Sequence, residues 1–154
     1  MKKVILILVL LVCGLFAKPP IMLYIDLDKV LDSKEFADFV GNDIAFSFGS
    51  GTENIFAGAA KTRISVKRGK ETHHFAKSLS GKSYDFSEIE SICGFALLEN
   101  LAELKEKALE IGATKVVNII SYYTNSTQYD SKDKFQCIIS NSSIRVKLKA
   151  DFAR

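Results

Sequence analysis

The chain has 154 residues, of which 47% are hydrophobic and 25% are charged, and its formal net charge is +3 at pH 7. The length suits one domain with one hydrophobic core. Without Lys2 and Lys3, which lie in a predicted export signal, 19 basic residues stand against 18 acidic ones, a net charge of +1. The overall charge therefore gives no argument for a nucleic-acid-binding protein.

The first residues have the pattern of an export signal. Lys2 and Lys3 precede an uncharged segment, Val4–Phe16, that is short for a membrane span, and Ala17 offers a small residue at a cleavage site. We therefore expect a cleaved signal peptide at residues 1–17 and a periplasmic or secreted protein. An uncleaved anchor and a lipid-modified Cys13 remain alternatives.

The next part of the chain predicts short strands and one short helix. Ile21 to Ile25 is typical of a strand, Asp32 to Val40 of a short helix, and the alternating residues Ile44, Phe46 and Phe48 of a second strand. A further strand is predicted by Ala60, Thr62, Ile64 and Val66, which alternate with Lys61, Arg63, Ser65 and Lys67. Residues 68–86 are polar and predict a loop or an irregular edge.

The stretch from Ser87 to Tyr123 predicts a long helix, a glycine stop and a central strand. Ser87 and Glu90 have the spacing of a capping box, and Gly112 stands where a left-handed C-cap is needed. An apolar stripe follows helical spacing: Ile89, Ile92, Cys93, Ala96, Leu97, Leu101, Leu104, Ala108 and Ile111. Lys115 to Tyr123 is apolar on both faces, with Val116, Ile120 and Tyr122 on one side and Val117, Ile119 and Tyr123 on the other.

The C-terminal part predicts two more strands after a polar connection at Thr124–Asp133. Phe135, Cys137 and Ile139 alternate in the first of them, and in the second Ile144, Val146, Leu148, Ala150 and Phe152 alternate with polar residues. The predicted fold is α+β, a single domain at residues 18–154 with a mixed or antiparallel sheet of about five or six strands and one long helix packed on one face. The strand near Ala60, the helix and the strand near Val117 could form one parallel crossover.

Two cysteines remain after removal of the signal, Cys93 on the apolar stripe of the helix and Cys137 on the inward face of a strand. An even number of cysteines in an exported chain favours a disulfide. The closed loop has 43 intervening residues, which corresponds to a stabilisation of about 4 kcal/mol in the chain-entropy model. Two buried free thiols and, with less support, a metal site are the alternatives.

Three other motifs are weak indications of a site. Ala76–Ser83 fits a loose phosphate-loop pattern, but its first glycine is missing and no apolar strand precedes it. His73 and His74 are adjacent and chelate one ion poorly, and the carboxylates of Asp26, Asp28 and Asp32 lack a calcium loop. No catalytic constellation is visible, so we expect no enzyme activity, no metal and no cofactor.

Two predicted strands carry basic residues that could lie together. If the two strands are neighbours, the basic residues form a stripe suited to anionic glycans or lipid headgroups: Lys61, Arg63, Lys67, Arg68, Arg145, Lys147 and Lys149. The alternative is the ordinary solvated face of a sheet. Tyr122, Tyr123 and Tyr129 could add an aromatic contact surface.

The passage CGFALLENLAELKEKALEIGATKVVNIISYY, followed by a polar gap and two strands, resembles the YbjQ-type domain over about residues 55–152. The Rcs envelope-stress sensor has a similar arrangement. The resemblance implies that Cys93 and Cys137 of this chain match the cysteines of a helix-to-strand disulfide in that sensor. The passage is also similar to small exported bacterial proteins labelled as excinuclease ATPase subunits, a label that the residues do not support.

The resemblance and the export signal together suggest a non-enzymatic periplasmic or exported domain that binds another envelope component, protein or glycan. The alternative is a small-ligand or metal-binding oligomer like the cytosolic YbjQ-type proteins. A hydrolase of envelope polymers would need paired carboxylates across a cleft, and no such pair is evident in the sequence.

Overall fold

The structure, a computed structural model, describes residues 19–51, 57–67, 86–140 and 143–154. Several predictions fall outside this part of the chain. They concern the signal segment at residues 1–17, Arg68, the His73–His74 pair and the phosphate-loop-like segment Ala76–Ser83.

The described residues form three helices and seven strands. The helices are α1 (Asp28–Leu31), α2 (Lys34–Phe39) and α3 (Phe86–Glu110). The strands are β1 (Ile21–Asp26), β2 (Ala45–Phe48), β3 (Gly58–Lys67), β4 (Lys115–Tyr122), β5 (Gln128–Tyr129), β6 (Lys134–Ile139) and β7 (Ser143–Ala153). The predicted α+β class with one long helix against a mixed sheet is confirmed.

Strand β7 is the centre of the sheet. The main path of the sheet runs β1–β6–β7–β4–β2, while β3 pairs with β7 and β5 pairs with β4. Both β3 and β4 are antiparallel to β7. They are therefore parallel to each other, as the predicted crossover requires, but β7 lies between them.

Helix α3 contributes one face to the hydrophobic core. Seven of the nine predicted stripe positions are buried: Ile89, Cys93, Ala96, Leu97, Leu101, Leu104 and Ala108. Ile92 is only partly buried and Ile111 is exposed. Opposite the helix, the core contains the even-numbered apolar residues of β7 from Ile144 to Phe152, because alternate side chains of a strand point to the same face.

The N-terminal end of α3 differs from the prediction, and its C-terminal end agrees with it. The helix begins at Phe86, so Ser87 lies within the first turn and the capping box with Ser87 as N-cap is wrong. The Glu90 carboxylate instead accepts from Lys29 Nζ at 3.4 Å, an ion pair between α3 and α1. Gly112 has φ +67° as predicted, and Ala113 N donates to Ala108 O at 2.9 Å, which is the Schellman motif.

Strand β4 contains a β-bulge at Asn118. Val117 is opposite Asp151 and Ile120 is opposite Lys149, so β4 has one residue more than β7 between these pairs. Asn118 takes φ +52° to accommodate it. The predicted division of the strand into faces is therefore wrong beyond this point, because the extra residue reverses the alternation and brings Ile119, with Val116, into the helix-facing core.

Candidate anion-binding face

The register of β3 and β7 brings the predicted basic residues together. Lys61 is opposite Lys149, Arg63 is opposite Lys147, and Ser65 is opposite Arg145. The two strands are neighbours along their whole length, which is the condition on which the predicted stripe depended. The backbone of Lys67 is opposite that of Ser143.

These residues share a face because both strands alternate. In β3, Thr62 is buried toward α3 while Lys61 and Arg63 are exposed. In β7, Arg145, Lys147 and Lys149 are partly buried and lie between the fully buried core positions. We call the surface formed by these five side chains the basic face: Lys61, Arg63, Arg145, Lys147 and Lys149.

Two tyrosines at the end of β4 border the basic face. Lys147 Nζ lies 5.2 Å from the centre of the Tyr122 ring and 5.7 Å from that of Tyr123, and Lys61 Nζ lies 5.9 Å from the centre of the Tyr122 ring. Lys147 Nζ also donates to the Tyr123 carbonyl oxygen at 2.7 Å. These cation–π contacts hold the lysines against the ring faces.

The third predicted tyrosine has another partner. Tyr129, on β5, packs its ring against that of Tyr24 on β1, with the ring centres 4.5 Å apart. Among the described residues, the aromatic ring contact of Tyr129 is thus with Tyr24 and not with Tyr122 or Tyr123. The backbone of Tyr129 is opposite that of Ser121 in the antiparallel pairing of β5 with β4.

The cations of the basic face have no close ion-pair partner within the described residues. Among these, no carboxylate oxygen lies within 4.0 Å of a basic-face nitrogen, whereas each of five lysines elsewhere has such a partner: Lys29, Lys34, Lys105, Lys107 and Lys134. Burial lowers the pKa of Lys147, and the nearby Arg63 and Arg145 lower it further. The Nε atom of Arg145 is buried without a hydrogen-bond partner among the described residues.

Acidic groups define one end of the basic face. Asp151, the next residue of β7 on this side after Lys149, accepts from Asn118 Nδ2 at 2.9 Å. Asp130 accepts from the Ser50 amide at 2.9 Å and from its hydroxyl. These hydrogen bonds lower the pKa of Asp130, and Lys132 and Lys149 add to the effect. Both carboxylates are thus held by uncharged donors.

An open cavity of about 380 Å³ lies at the same end. Its lining includes Lys61, Lys149, Asn118, Ile120 and Asp151. The cavity thus presents two ammonium groups and one carboxylate, and the bulge at Asn118 forms part of its wall. Sequence reasoning missed Asn118, although an asparagine within an apolar strand is one of the few residues that tolerates positive φ.

The predicted cysteine pair is brought together on the opposite face of the sheet. Cys93 Sγ on α3 and Cys137 Sγ on β6 are 2.03 Å apart, a disulfide-compatible geometry, and neither residue is exposed. Because β6 pairs with both β1 and β7, the bond would attach the helix to the sheet next to its central strand. It would be a structural bond on the other side of the sheet from the basic face, since Cys137 is opposite Val146 of β7.

The acidic residues Asp26, Asp28 and Asp32 lie at the end of β1 and at the two ends of α1. Asp26 pairs with Lys134 at 3.0 Å and with Lys29 at 3.9 Å, and these neighbours, Lys134 first, lower its pKa. Asp28 lies in the first turn of α1 and Asp32 follows its last turn. Within the described ranges, no group of three or more histidine, cysteine, aspartate or glutamate residues has an arrangement that could hold a metal ion.

The comparisons with known proteins found no match to a family model, a curated protein or a solved structure. Within the part of the chain that the structure describes, no helix has the length and apolar character needed to cross a membrane.

Proposed function

We propose that this protein is a non-enzymatic exported domain that binds an anionic component of the cell envelope through its basic face. The observation that carries the proposal is the concentration of five cationic side chains on one side of β3 and β7, without a described carboxylate within 4.0 Å of any of them. Like charges directly opposite each other destabilise a sheet. An anionic partner would offset that cost.

Two further observations support an extracytoplasmic location. The first 17 residues have the pattern of an export signal, and a Cys93–Cys137 disulfide suits an oxidising compartment. The resemblance to the Rcs sensor domain agrees with a binding role in the envelope. The sequence offers no nucleophile–base set that would argue for catalysis.

Binding to purified cell envelopes tests the proposal. The mature chain should sediment with washed envelopes at low salt and be released as salt is raised. The double substitution Lys61→Gln/Lys149→Gln should reduce the bound fraction severalfold. Its matched control, Lys34→Gln/Lys107→Gln, removes the same charge from the helical layer and should bind like the wild type. Equal binding by both variants would contradict the proposal, as would retention of the unprocessed chain in the cytoplasm.

The cavity beside Lys61, Lys149 and Asp151 favours a second candidate, a small-ligand-binding oligomer. A molecule with one anionic and one cationic group would match its lining. Sedimentation and dialysis would separate the two candidates. The second candidate predicts an oligomer that retains its ligand on dialysis, whereas the first requires neither an oligomer nor a retained ligand.

A further inference from the structure

The cations of β7 form a row. Arg145, Lys147 and Lys149 occupy every second position of one strand, so their side chains emerge at steps of about 7 Å. Arg63 and Lys61 stand beside the last two steps on β3. The row ends at Asp151, one further step along the strand, where the sign of the charge reverses.

The distance between successive cations of the row is close to the distance between successive phosphates in one class of charged polymer, because the two repeats contain the same number of bonds. Two residues of an extended polypeptide contain six backbone bonds. A phosphodiester chain linked through three-carbon alcohol units also contains six bonds between successive phosphorus atoms. When both chains are extended, their repeats have nearly the same length, and each phosphate meets one cation of the row.

From this match we propose that the basic face binds a linear phosphodiester polymer whose phosphates are joined through three-carbon polyol units, extended along β7 with successive phosphates at Arg145, Lys147 and Lys149. The inference rests on the proposed function and names the chemical class of its ligand. Arg63 and Lys61 then supply a second cation to the phosphates at Lys147 and Lys149. Asp151 limits the bound segment to about three phosphates by repelling a fourth.

An anionic membrane fits this face less well. Interfacial binding normally combines cations with apolar side chains that enter the lipid. The large exposed apolar side chains among the described residues all lie outside β3 and β7: Ile21, Tyr24, Phe39, Phe95, Leu109 and Ile111. A flat anionic surface would also meet Asp151 together with the row.

A single-stranded nucleic acid has the same number of bonds per phosphate, but its binding sites normally include aromatic rings on which bases stack. Here the Tyr122 ring already has Lys61 and Lys147 within 6 Å of its centre. Two lysines over the ring restrict the access of a base. The tyrosines therefore act as supports that position ammonium groups for phosphate.

Titration calorimetry with poly(glycerol phosphate) oligomers of one, two, three and six phosphates tests the inference. We expect the affinity to rise at least tenfold from one phosphate to three, and to rise little per site from three to six. The slope of log K against log [salt] should fall by about 0.7 for each of Arg145→Gln and Lys149→Gln. Lys34→Gln/Lys107→Gln should leave both the affinity and the slope unchanged.

Further arms compare other carriers of anions. The probes are vesicles of phosphatidylglycerol in phosphatidylcholine, a galacturonate oligomer, and a thymidine oligonucleotide with matched phosphate number. Tighter binding of the vesicles or the galacturonate oligomer, with the same loss in Lys61→Gln/Lys149→Gln, would overturn the polymer assignment and leave the proposed function standing. Tighter binding of the oligonucleotide with that loss would overturn both. Failure of every probe and of envelopes would overturn both. Equal binding of one and three phosphates would also exclude the row as the binding site.

Discussion

The Lys147 ammonium lies 5.2 Å from the centre of the Tyr122 ring and donates to the carbonyl of the following residue, Tyr123, at 2.7 Å. Lys147 belongs to β7, Tyr122 is the last residue of β4, and Tyr123 follows it. The carbonyl and the rings stabilise a cation that Arg63 and Arg145 repel. The arrangement holds positive charge in place at the centre of the basic face.

The first prediction concerns the pKa of Lys147. It should lie below the ordinary lysine value of 10.5, and Arg63→Gln or Arg145→Gln should raise it by removing a neighbouring cation. Because the pKa of Lys147 is lower in the folded state than in the unfolded state, the protonated lysine lowers the free energy of unfolding at neutral pH. The free energy of unfolding should therefore increase as pH rises from the folded-state pKa to the unfolded-state pKa. NMR titration of the side-chain resonances measures the shift.

Lys134 provides the control for that titration. Its pKa is raised by the adjacent Asp26 carboxylate, so Asp26→Asn should lower it while leaving Lys147 unchanged. A Lys147 pKa that does not respond to either arginine substitution would show that the two arginines do not contribute to it.

The second prediction separates stability from binding at the pair Arg63–Lys147. Arg63→Glu replaces a repulsive cross-strand pair by an attractive one and should increase the free energy of unfolding by about 0.2–1 kcal/mol at low salt. The same change should weaken binding to envelopes by at least tenfold. Urea denaturation and envelope sedimentation measure the two effects.

Salt distinguishes this electrostatic explanation from a packing effect. The stability gain of Arg63→Glu should shrink at high ionic strength, and Arg63→Gln should give a smaller gain. A loss of stability in Arg63→Glu at low salt would mean that the cations of the basic face are not in repulsive contact.

The third prediction concerns the cysteine pair. Cys93→Ala/Cys137→Ala should lower the free energy of unfolding by about 4 kcal/mol, because a closed loop with a sequence separation of 44 is released in the unfolded chain. Reduction of the wild type should give a similar loss in urea denaturation. Free thiols in protein isolated from the envelope would refute the bond.

The fourth prediction concerns the bulge at Asn118. Asn118→Val forces a β-branched residue to φ +52° and should cost about 1–3 kcal/mol of stability. Asn118→Gly removes the hydrogen bond to Asp151 but permits the backbone conformation, so it should cost less than Asn118→Val. The reverse order in thermal or urea denaturation would show that the side-chain hydrogen bond, not the backbone, determines the bulge.

Local periodicity is what the sequence alone determined. The stripe of α3, the stop at Gly112 and the alternation of β7 each depend on residues a few positions apart, and the structure confirms them. The same alternation predicted that Lys61 and Arg63 face away from the core. Such patterns follow from helix and strand geometry, which every short segment carries with it.

Tertiary structure decided which segments meet. Three features join residues that are distant in sequence: β3 pairs with β7, Cys93 lies next to Cys137, and Lys147 contacts two tyrosines. The bulge at Asn118 also escaped prediction, because one extra residue in β4 is visible only against its partner strands. Strand register is set by the packing of the whole sheet, and the basic face exists only because that register places Lys61 beside Lys149.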